Sequence, residues 1–331
     1  MKVGLTYDLR SEYLAAGYGE EETGEFDRED TIDAIENALQ TLGHSTDRIG
    51  NARSLTERLV RGDRWDIVFT IAEGLYGIAR EAQVPAILDV YNIPYTFSDP
   101  LVMCLTLHKG MTKRVIRDAG LPTPDFSVVE NLQDIDLIKL DPPFFIKPIA
   151  EGTGKGVNSD SIIRRKEELP KACESLLSKY HQPVLIEKYL PGREFTVSIL
   201  GTGVDAEAIG TDMVLMLPGG DKDVYSYLNK ERCEDLVEYR LVHADKDPVV
   251  RESERLALDT WRILGCRDGG RVDLRCDEND LPYILEVNPL PGLHPSHSDL
   301  PILCTQIGIP FVKLIERIIS SASVRITSKT N

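Results

Sequence analysis

Hydrophobic and polar positions along the chain fall into runs whose period changes several times. Residues 3–7 form a short apolar run that reads as an opening strand. In residues 31–39, the spacing of Ile32, Ile35 and Leu39 predicts a helix, which ends at Gly43. Residues 66–71 form a compact apolar run of the kind a buried parallel strand needs. Strand and helix in alternation predict an open α/β layer over the first hundred residues. Between the first strand and first helix lies an acidic, glycine-punctuated stretch, residues 17–30. A loop that long is usually functional or disordered.

A helix-like stretch starts near Lys109, and Pro122 and Pro124 interrupt it, so a boundary falls nearby. Strands are predicted at 126–129, 144–148 and 184–187, with one long helix at 166–180. Further on come β-rich stretches at 195–200, 206–210, 271–276 and 283–287, and a helix from about 248 to 264. No repeat or low-complexity tract is present. The expected order is α/β, then α+β, then α+β, with domains at 1–100, 101–188 and 189–331. Two or three domains suit 331 residues.

Composition narrows the partners. The apolar and charged fractions, 42% and 28%, are those of a soluble globular protein. A net charge of −16 argues against a nucleic-acid partner, whose phosphates need a basic face. The first residues carry too short an apolar run for a signal peptide, and no run matches a membrane span. Six scattered cysteines read as free, mostly buried thiols. A cytoplasmic protein acting on small molecules is expected.

Two segments carry candidate chemistry. After the apolar strand at 144–146 comes Lys147-Pro148-Ile149-Ala150-Glu151-Gly152-Thr153-Gly154-Lys155-Gly156. Alternating glycines let backbone N–H groups approach a polyphosphate, while Lys147 and Lys155 supply positive charge. The Gly-Lys-Ser/Thr ending of a P-loop is missing, and so is the strand-turn-helix order of a dinucleotide fingerprint. A flexible hairpin tip is the alternative.

The second segment alternates with period two. Arg271, Asp273 and Arg275 share one face of a strand, Asp277 to Asp280 form a turn, and a second strand covers 283–288. A hairpin centred between Glu278 and Asn279 would set Asp273 opposite Ile284 and Arg271 opposite Glu286. Arg271, Asp273, Glu286 and Asn288 then converge on one side. Three oxygen donors beside an arginine describe a Mg²⁺ site that also holds phosphate. Cross-strand ion pairs on a solvated hairpin are the alternative. The tail Asn288-Pro289-Leu290-Pro291-Gly292 favours the site, because a glycine fixed between prolines suits a backbone donor for an oxyanion.

These segments occur in the order of an ATP-grasp ligase, and the chain resembles the D-alanine–D-alanine ligase family. The resemblance includes Asn92-Ile93-Pro94-Tyr95-Thr96, Lys109 with Thr112-Lys113, Gly120-Leu121-Pro122-Thr123-Pro124, Glu187-Lys188-Tyr189-Leu190 and Glu194-Phe195-Thr196-Val197. It implies an ATP-grasp fold that sandwiches ATP between two α+β domains. It also implies a ligase that activates a carboxylate as an acyl phosphate and joins it to an amine. By resemblance, Lys109 and Lys147 contact ATP with the glycine loop (Glu151, Gly152, Thr153, Gly154 and Gly156). Glu187, Tyr189 and Leu190 meet the adenine, and Glu194 the ribose. Asp273, Glu286 and Asn288 hold two Mg²⁺ ions, with Mn²⁺ an alternative. Arg271 and the Gly292 N–H steady the tetrahedral intermediate, Lys230 reaches the γ-phosphate from a mobile loop, and Ser298 binds the acceptor carboxylate. A homodimer through the N-terminal part is also implied.

The resemblance thins on the donor side. The family's His-Gly start and acidic Gly-Glu-Asp-Gly segment are replaced by Ala72-Glu73-Gly74-Leu75-Tyr76-Gly77-Ile78-Ala79-Arg80-Glu81. The first loop usually carries a Glu just before a helix start, a role for which Glu12 is the candidate. Glu73 and Glu231 add negative charge where the family has other groups. A donor other than D-alanine, larger or more basic, is therefore expected. Two readings stand beside the leading one: a ligase for another amino acid or peptide-like metabolite, and a catalytically silent nucleotide-binding protein.

Overall fold

Three sheets follow one another along the chain in a computed structural model that describes residues 1–221 and 223–327. The first is parallel, ordered β2-β1-β3, with β1 at Lys2–Thr6, β2 at Ser45–Gly50 and β3 at Ile67–Thr70. Every residue of β3 is buried, as its unbroken apolar run requires. The helix Glu29–Thr41 turns Ile32, Ile35 and Leu39 into the core. β2 escaped sequence reading because it is an edge strand. Its sequence, Ser-Thr-Asp-Arg-Ile-Gly, buries only Ile49.

The second sheet is antiparallel, ordered β4-β7-β5-β6. It comprises β4 (Phe126–Val129), β5 (Phe144–Pro148), β6 (Ile162–Ile163) and β7 (Val184–Lys188). The helix Leu169–Tyr180 packs beneath it through Leu169 and Cys173. The third sheet is also antiparallel, ordered β10-β9-β8-β11-β12. Its strands are β8 (Glu194–Leu200), β9 (Glu207–Met216), β10 (Val237–Val242), β11 (Gly269–Cys276) and β12 (Pro282–Asn288). The helix Pro248–Leu264, capped by Asp247 and stopped at left-handed Gly265, lays Trp261 against Val197, Val272 and Ile284. Gly270 lets that indole approach: a Cβ there would stand 2.4 Å from the Asn288 carbonyl oxygen and 2.7 Å from the ring.

The last helix, Phe311–Thr327, returns to the first sheet. Leu314, Ile315 and Ile318 share one core with Val3, Leu5, Ile32 and Phe69. The chain that carries the third sheet is therefore packed against the N-terminal layer. All six cysteines are free, five of them buried.

The β11–β12 hairpin does not have the expected register. Arg271 faces Asn288 and Asp273 faces Glu286, and a bulge then puts Leu274 opposite Ile284. The turn is organised by Asp277, whose carboxylate accepts from the Asn279 and Leu281 N–H groups (2.9 Å each) and whose own N–H donates to the Leu281 carbonyl. That wider turn moves the pairing by one residue and the bulge by one more, two in all beyond the bulge. A two-residue move keeps each side chain on its face, whereas one residue would have flipped it. Arg271, Asp273, Glu286 and Asn288 therefore still converge.

Candidate active site

A cleft of about 800 Å³ lies between the second and third sheets. Lys109, Lys147, Glu151, Gly154, Glu187, Tyr189, Leu190 and Glu194 all line it. The glycine loop connects β5 to β6, so it is a hairpin tip as well as a wall of the cleft. Thr153 (φ 50°), Gly154 (φ 72°) and Gly156 (φ 75°) are left-handed. Gly156 does not line the cleft. It allows the turn to sit on β5, since a Cβ there would meet the Pro148 ring at 2.6 Å.

Cations and carboxylates alternate through the cleft. Lys147 lies 3.1 Å from Glu187 and 3.8 Å from Glu286, and Lys109 lies 3.7 Å from Glu286. Lys109 also donates to the Glu151 carbonyl at 2.5 Å. Fully buried Lys113, for which sequence alone suggested no role, pairs with the other oxygen of Glu187 and holds that side chain in place. Burial alone would raise the Glu187 carboxyl, but Lys113 and Lys147 more than offset it and keep it below the ordinary range. Glu194 pairs with Arg275 at 3.1 Å. Its carboxyl is raised, chiefly by burial.

Asp273, Glu286 and Asn288 meet at the mouth of this cleft. Asp273 accepts from Thr196 Oγ1 and from Asn288 Nδ2, both at 3.1 Å. Arg271 Nε lies 3.2 Å from Asp273 and 3.1 Å from Asp299. Burial raises the Asp273 carboxyl, Arg271 opposes this, and facing Glu286 adds to it. Glu286 goes the other way: burial would raise it, but Lys109, Lys147, Lys230 and Arg271 hold it well below the ordinary range. Two carboxylates face to face, one of them raised, with an amide oxygen beside them, form a donor set that fits a hard divalent cation.

A second cavity, about 1230 Å³, opens beside the first. Arg271, Asn288, Gly292 and Ser298 form one wall, and Gly152, Thr153 and Glu73 form another. Lys230 lines both cavities from the short helix Tyr227–Glu231, its ammonium 4.6 Å from the Tyr225 ring centroid. Among the described residues, the Gly292 N–H meets no acceptor. Ser298 stands at the N-cap of the helix Asp299–Gln306 without capping it. Its hydroxyl accepts from the His294 N–H at 3.0 Å and touches the place where a Gly292 Cβ would be.

Glu12 does not join the site. It is exposed and lines a separate groove with Tyr13, Asn51 and Arg53. The helix Arg10–Ala15 explains this: it turns Arg10 toward Glu231 (3.3 Å), and a residue two positions on points to the opposite side. Glu25, in the 17–30 loop, does reach the cavity. That loop folds over the site, with Phe26 buried and Glu21 reaching Lys179 at 2.6 Å. Glu25 lies 2.9 Å from Arg80 and 3.2 Å from Lys155, and accepts from the Gly152 N–H at 2.5 Å. Burial would raise its carboxyl, but Arg80 and Lys155 hold it down to about 2. Glu25 lies four residues before the helix Glu29–Thr41, and its inward turn is set by the fold of the loop.

Known proteins of like sequence and shape bear on this arrangement. A family described as "D-ala D-ala ligase C-terminus" matches residues 115–320. A D-alanine–D-alanine ligase of Bordetella petrii is 33% identical over 279 residues, 83% of this chain and 81% of that protein. An uncharacterised protein of Sinorhizobium fredii, y4sG, is 31% identical over 308 residues, 88% of this chain and 87% of its own length. The crystal structure of D-alanine–D-alanine ligase from Bacillus anthracis complexed with ATP superposes with a TM-score of 0.74 at 22% identity, covering 99% of both chains. That likeness shows the ATP-grasp fold: an open parallel layer followed by two antiparallel sheets. By the match over residues 115–320 and the extent of the shared sequence, the chain belongs to the D-alanine–D-alanine ligase family.

Proposed function

We propose that the chain is an ATP- and Mg²⁺-dependent ligase that phosphorylates a carboxylic acid and joins the acyl group to an amine. One observation carries this reading: Arg271, Asp273, Glu286 and Asn288 stand at the junction of two cavities, one lined by buried lysines and the other by groups suited to amino-acid-like substrates. The ATP-complexed relative supports the first cavity as the nucleotide site. On this reading the domains are 1–100, 101–188 and 189–331, with ATP between the second and third.

In the first step a carboxylate oxygen of the donor attacks the γ-phosphorus and ADP leaves. In the second, the acceptor amine attacks the acyl carbon, phosphate leaves with that oxygen, and the amine loses a proton. Phosphoryl transfer of this kind rests on positioning and charge neutralisation. Lys109 and Lys147 supply fixed positive charge, and the loop Gly152–Gly156 supplies backbone donors. Asp273, Glu286 and Asn288 would hold the Mg²⁺ ions, which neutralise phosphate charge. Glu187, Tyr189, Leu190 and Glu194 bound the far end of the cleft, where the base and ribose belong. The free Gly292 N–H and Arg271 face the second cavity, where they oppose the oxyanion of the tetrahedral intermediate. Lys230, on the segment that closes both cavities, steadies the transferring phosphoryl group. Ser298 receives the acceptor carboxylate.

The family resemblance further supports a cytoplasmic enzyme that pairs as a homodimer through its N-terminal part. Among the described residues no helix is long and apolar enough to cross a membrane. The purified protein, ATP and Mg²⁺ should be incubated with D- and L-amino acids, singly and in pairs, with phosphate release and product mass followed. Amide formation coupled to phosphate release is expected. Nucleotide binding with no turnover for any pair would favour a silent nucleotide-binding protein instead.

A further inference from the structure

The wall of the second cavity opposite Ser298 is built from the ends of two parallel strands. Asp27 is joined to the end of β1 through its N–H, which donates to the Asp8 carbonyl at 3.1 Å. Glu73 follows β3 by three residues. The chain then folds back at left-handed Gly74 (φ 72°), where a Cβ would stand 2.8 Å from the Arg80 carbonyl oxygen. That return brings Glu81 beside Glu73. Asp27, Glu73 and Glu81 all line the cavity and are half-buried there.

The cations around this cavity are already engaged. Arg10 pairs with Glu231 (3.3 Å), Arg28 with Asp30 (2.7 Å), and Arg271 with Asp273 and Asp299. Arg80 and Lys155 both go to Glu25, and His297 goes to Glu234 at 2.9 Å. Lys230 lies over Tyr225, its charge acting on Asp273, Glu286 and Glu194. Neighbouring Asp8 is also satisfied, by the Tyr13 hydroxyl (2.5 Å) and the Gly74 N–H (2.8 Å). Among the described residues, no hydrogen bond or ion pair reaches the carboxylates of Asp27, Glu73 or Glu81. Three adjacent, half-buried acids with no direct partner repel one another across the cavity, and a cation bound among them relieves that repulsion.

We propose that Asp27, Glu73 and Glu81 form a cation-recognition subsite, and that the acid phosphorylated by this enzyme is a basic one carrying a protonated side-chain amine. The inference rests on the ligase reading and adds the chemical class of its donor. The raised carboxyls agree with the geometry. Burial and mutual repulsion push Glu73 well up; burial, with Glu25 adding and Arg80, Lys109 and Lys155 opposing from a distance, takes Glu81 to about 7; and burial with Asp8 takes Asp27 to about 8. An ammonium group would draw all three back to the charged form.

The test compares basic acids with neutral ones of matched length: lysine against norleucine, ornithine against norvaline, each enantiomer, with ATP, Mg²⁺ and a common set of acceptors. The expected result is a kcat/KM for the basic donor at least ~10-fold above its neutral match, since one charge-assisted contact gives about that much. In the Glu73→Gln/Glu81→Gln double variant this ratio should fall at least ~10-fold. Preference for the neutral acids, or an unchanged ratio in the double variant, overturns the subsite and leaves the ligase reading standing. If no acid is turned over, the ligase reading fails and calorimetry decides the subsite separately. Lysine or ornithine binding to the wild type, lost in the double variant, supports it, and no binding overturns it.

Discussion

Replacing Arg80 with methionine removes the main cation that keeps Glu25 charged inside the protein. Both side chains are only 6% exposed, and Arg80 also donates to the Ala150 carbonyl at 2.7 Å, so the substitution strips that carbonyl of its side-chain donor and leaves Glu25 with only Lys155 and the Gly152 N–H. Breaking one side of a buried ion pair typically costs about 3–5 kcal/mol. The acidity of Glu25 gives a second figure: its fall from 4.5 to about 2 corresponds to roughly 3 kcal/mol of native-state stability, which Arg80 shares with Lys155 and the Gly152 N–H. Because the folded value is depressed, that stability is complete above about pH 4.5 and is lost as pH falls toward 2. Urea unfolding at pH 7 should therefore show Arg80→Met destabilised by about 2–3 kcal/mol. The Arg80→Met/Glu25→Gln double variant should recover part of the loss, with a coupling of about 2 kcal/mol. A loss below about 1 kcal/mol, or a double variant as unstable as the sum of its singles, would refute the view that this pair pins the 17–30 loop over the glycine loop.

Other consequences can be measured directly. Glu286→Gln should lower turnover at least ~100-fold while a fluorescent ATP analogue still binds, read by phosphate release and by titration. Arg271→Met should reduce kcat by about 10²–10³-fold with a smaller effect on the KM for ATP, because the oxyanion it opposes exists only after the amine attacks. Glu81 has a raised folded value, from 4.5 to about 7, so it destabilises the native state as pH rises through that interval. Glu81→Gln should consequently be more stable than the wild type at pH 8, by up to roughly 3 kcal/mol, and little different at pH 4, as melting temperatures at the two values will report. Gly156→Ala forces a side chain into left-handed backbone and against Pro148, and should cost about 1–3 kcal/mol in urea melts.

Much of the chain after residue 120 was legible in its sequence, for identifiable reasons. β4, β5 and the helix Pro248–Leu264 begin and end at the predicted residues because prolines, caps and a strict period mark their limits. The hairpin register was misplaced because its turn depends on Asp277 side-chain bonds and a bulge at Leu285, neither of which alternation reveals. The four convergent residues survived only because the error was an even number of positions. Short or polar elements were missed. β2 is an edge strand with one buried residue, and the helix Phe311–Thr327 contributes to a core whose other half lies near residue 1. The same holds for the site. Charged groups within one local segment could be placed by spacing. Glu25 with Arg80, and Lys113 with Glu187, come from segments far apart, and only tertiary folding brings them together. Glu12 was the first-loop candidate, and Glu25 was not considered because its loop gave no sign of which residue it turns inward.

The central claim, activation of a carboxylate as an acyl phosphate, is tested most directly by oxygen transfer. A donor acid labelled with ¹⁸O in both carboxylate oxygens should be turned over with ATP, Mg²⁺ and an acceptor, and the released phosphate analysed by mass. The account predicts one ¹⁸O in each phosphate, with ADP formed in equal amount. Unlabelled phosphate, or AMP and pyrophosphate in place of ADP and phosphate, would contradict it.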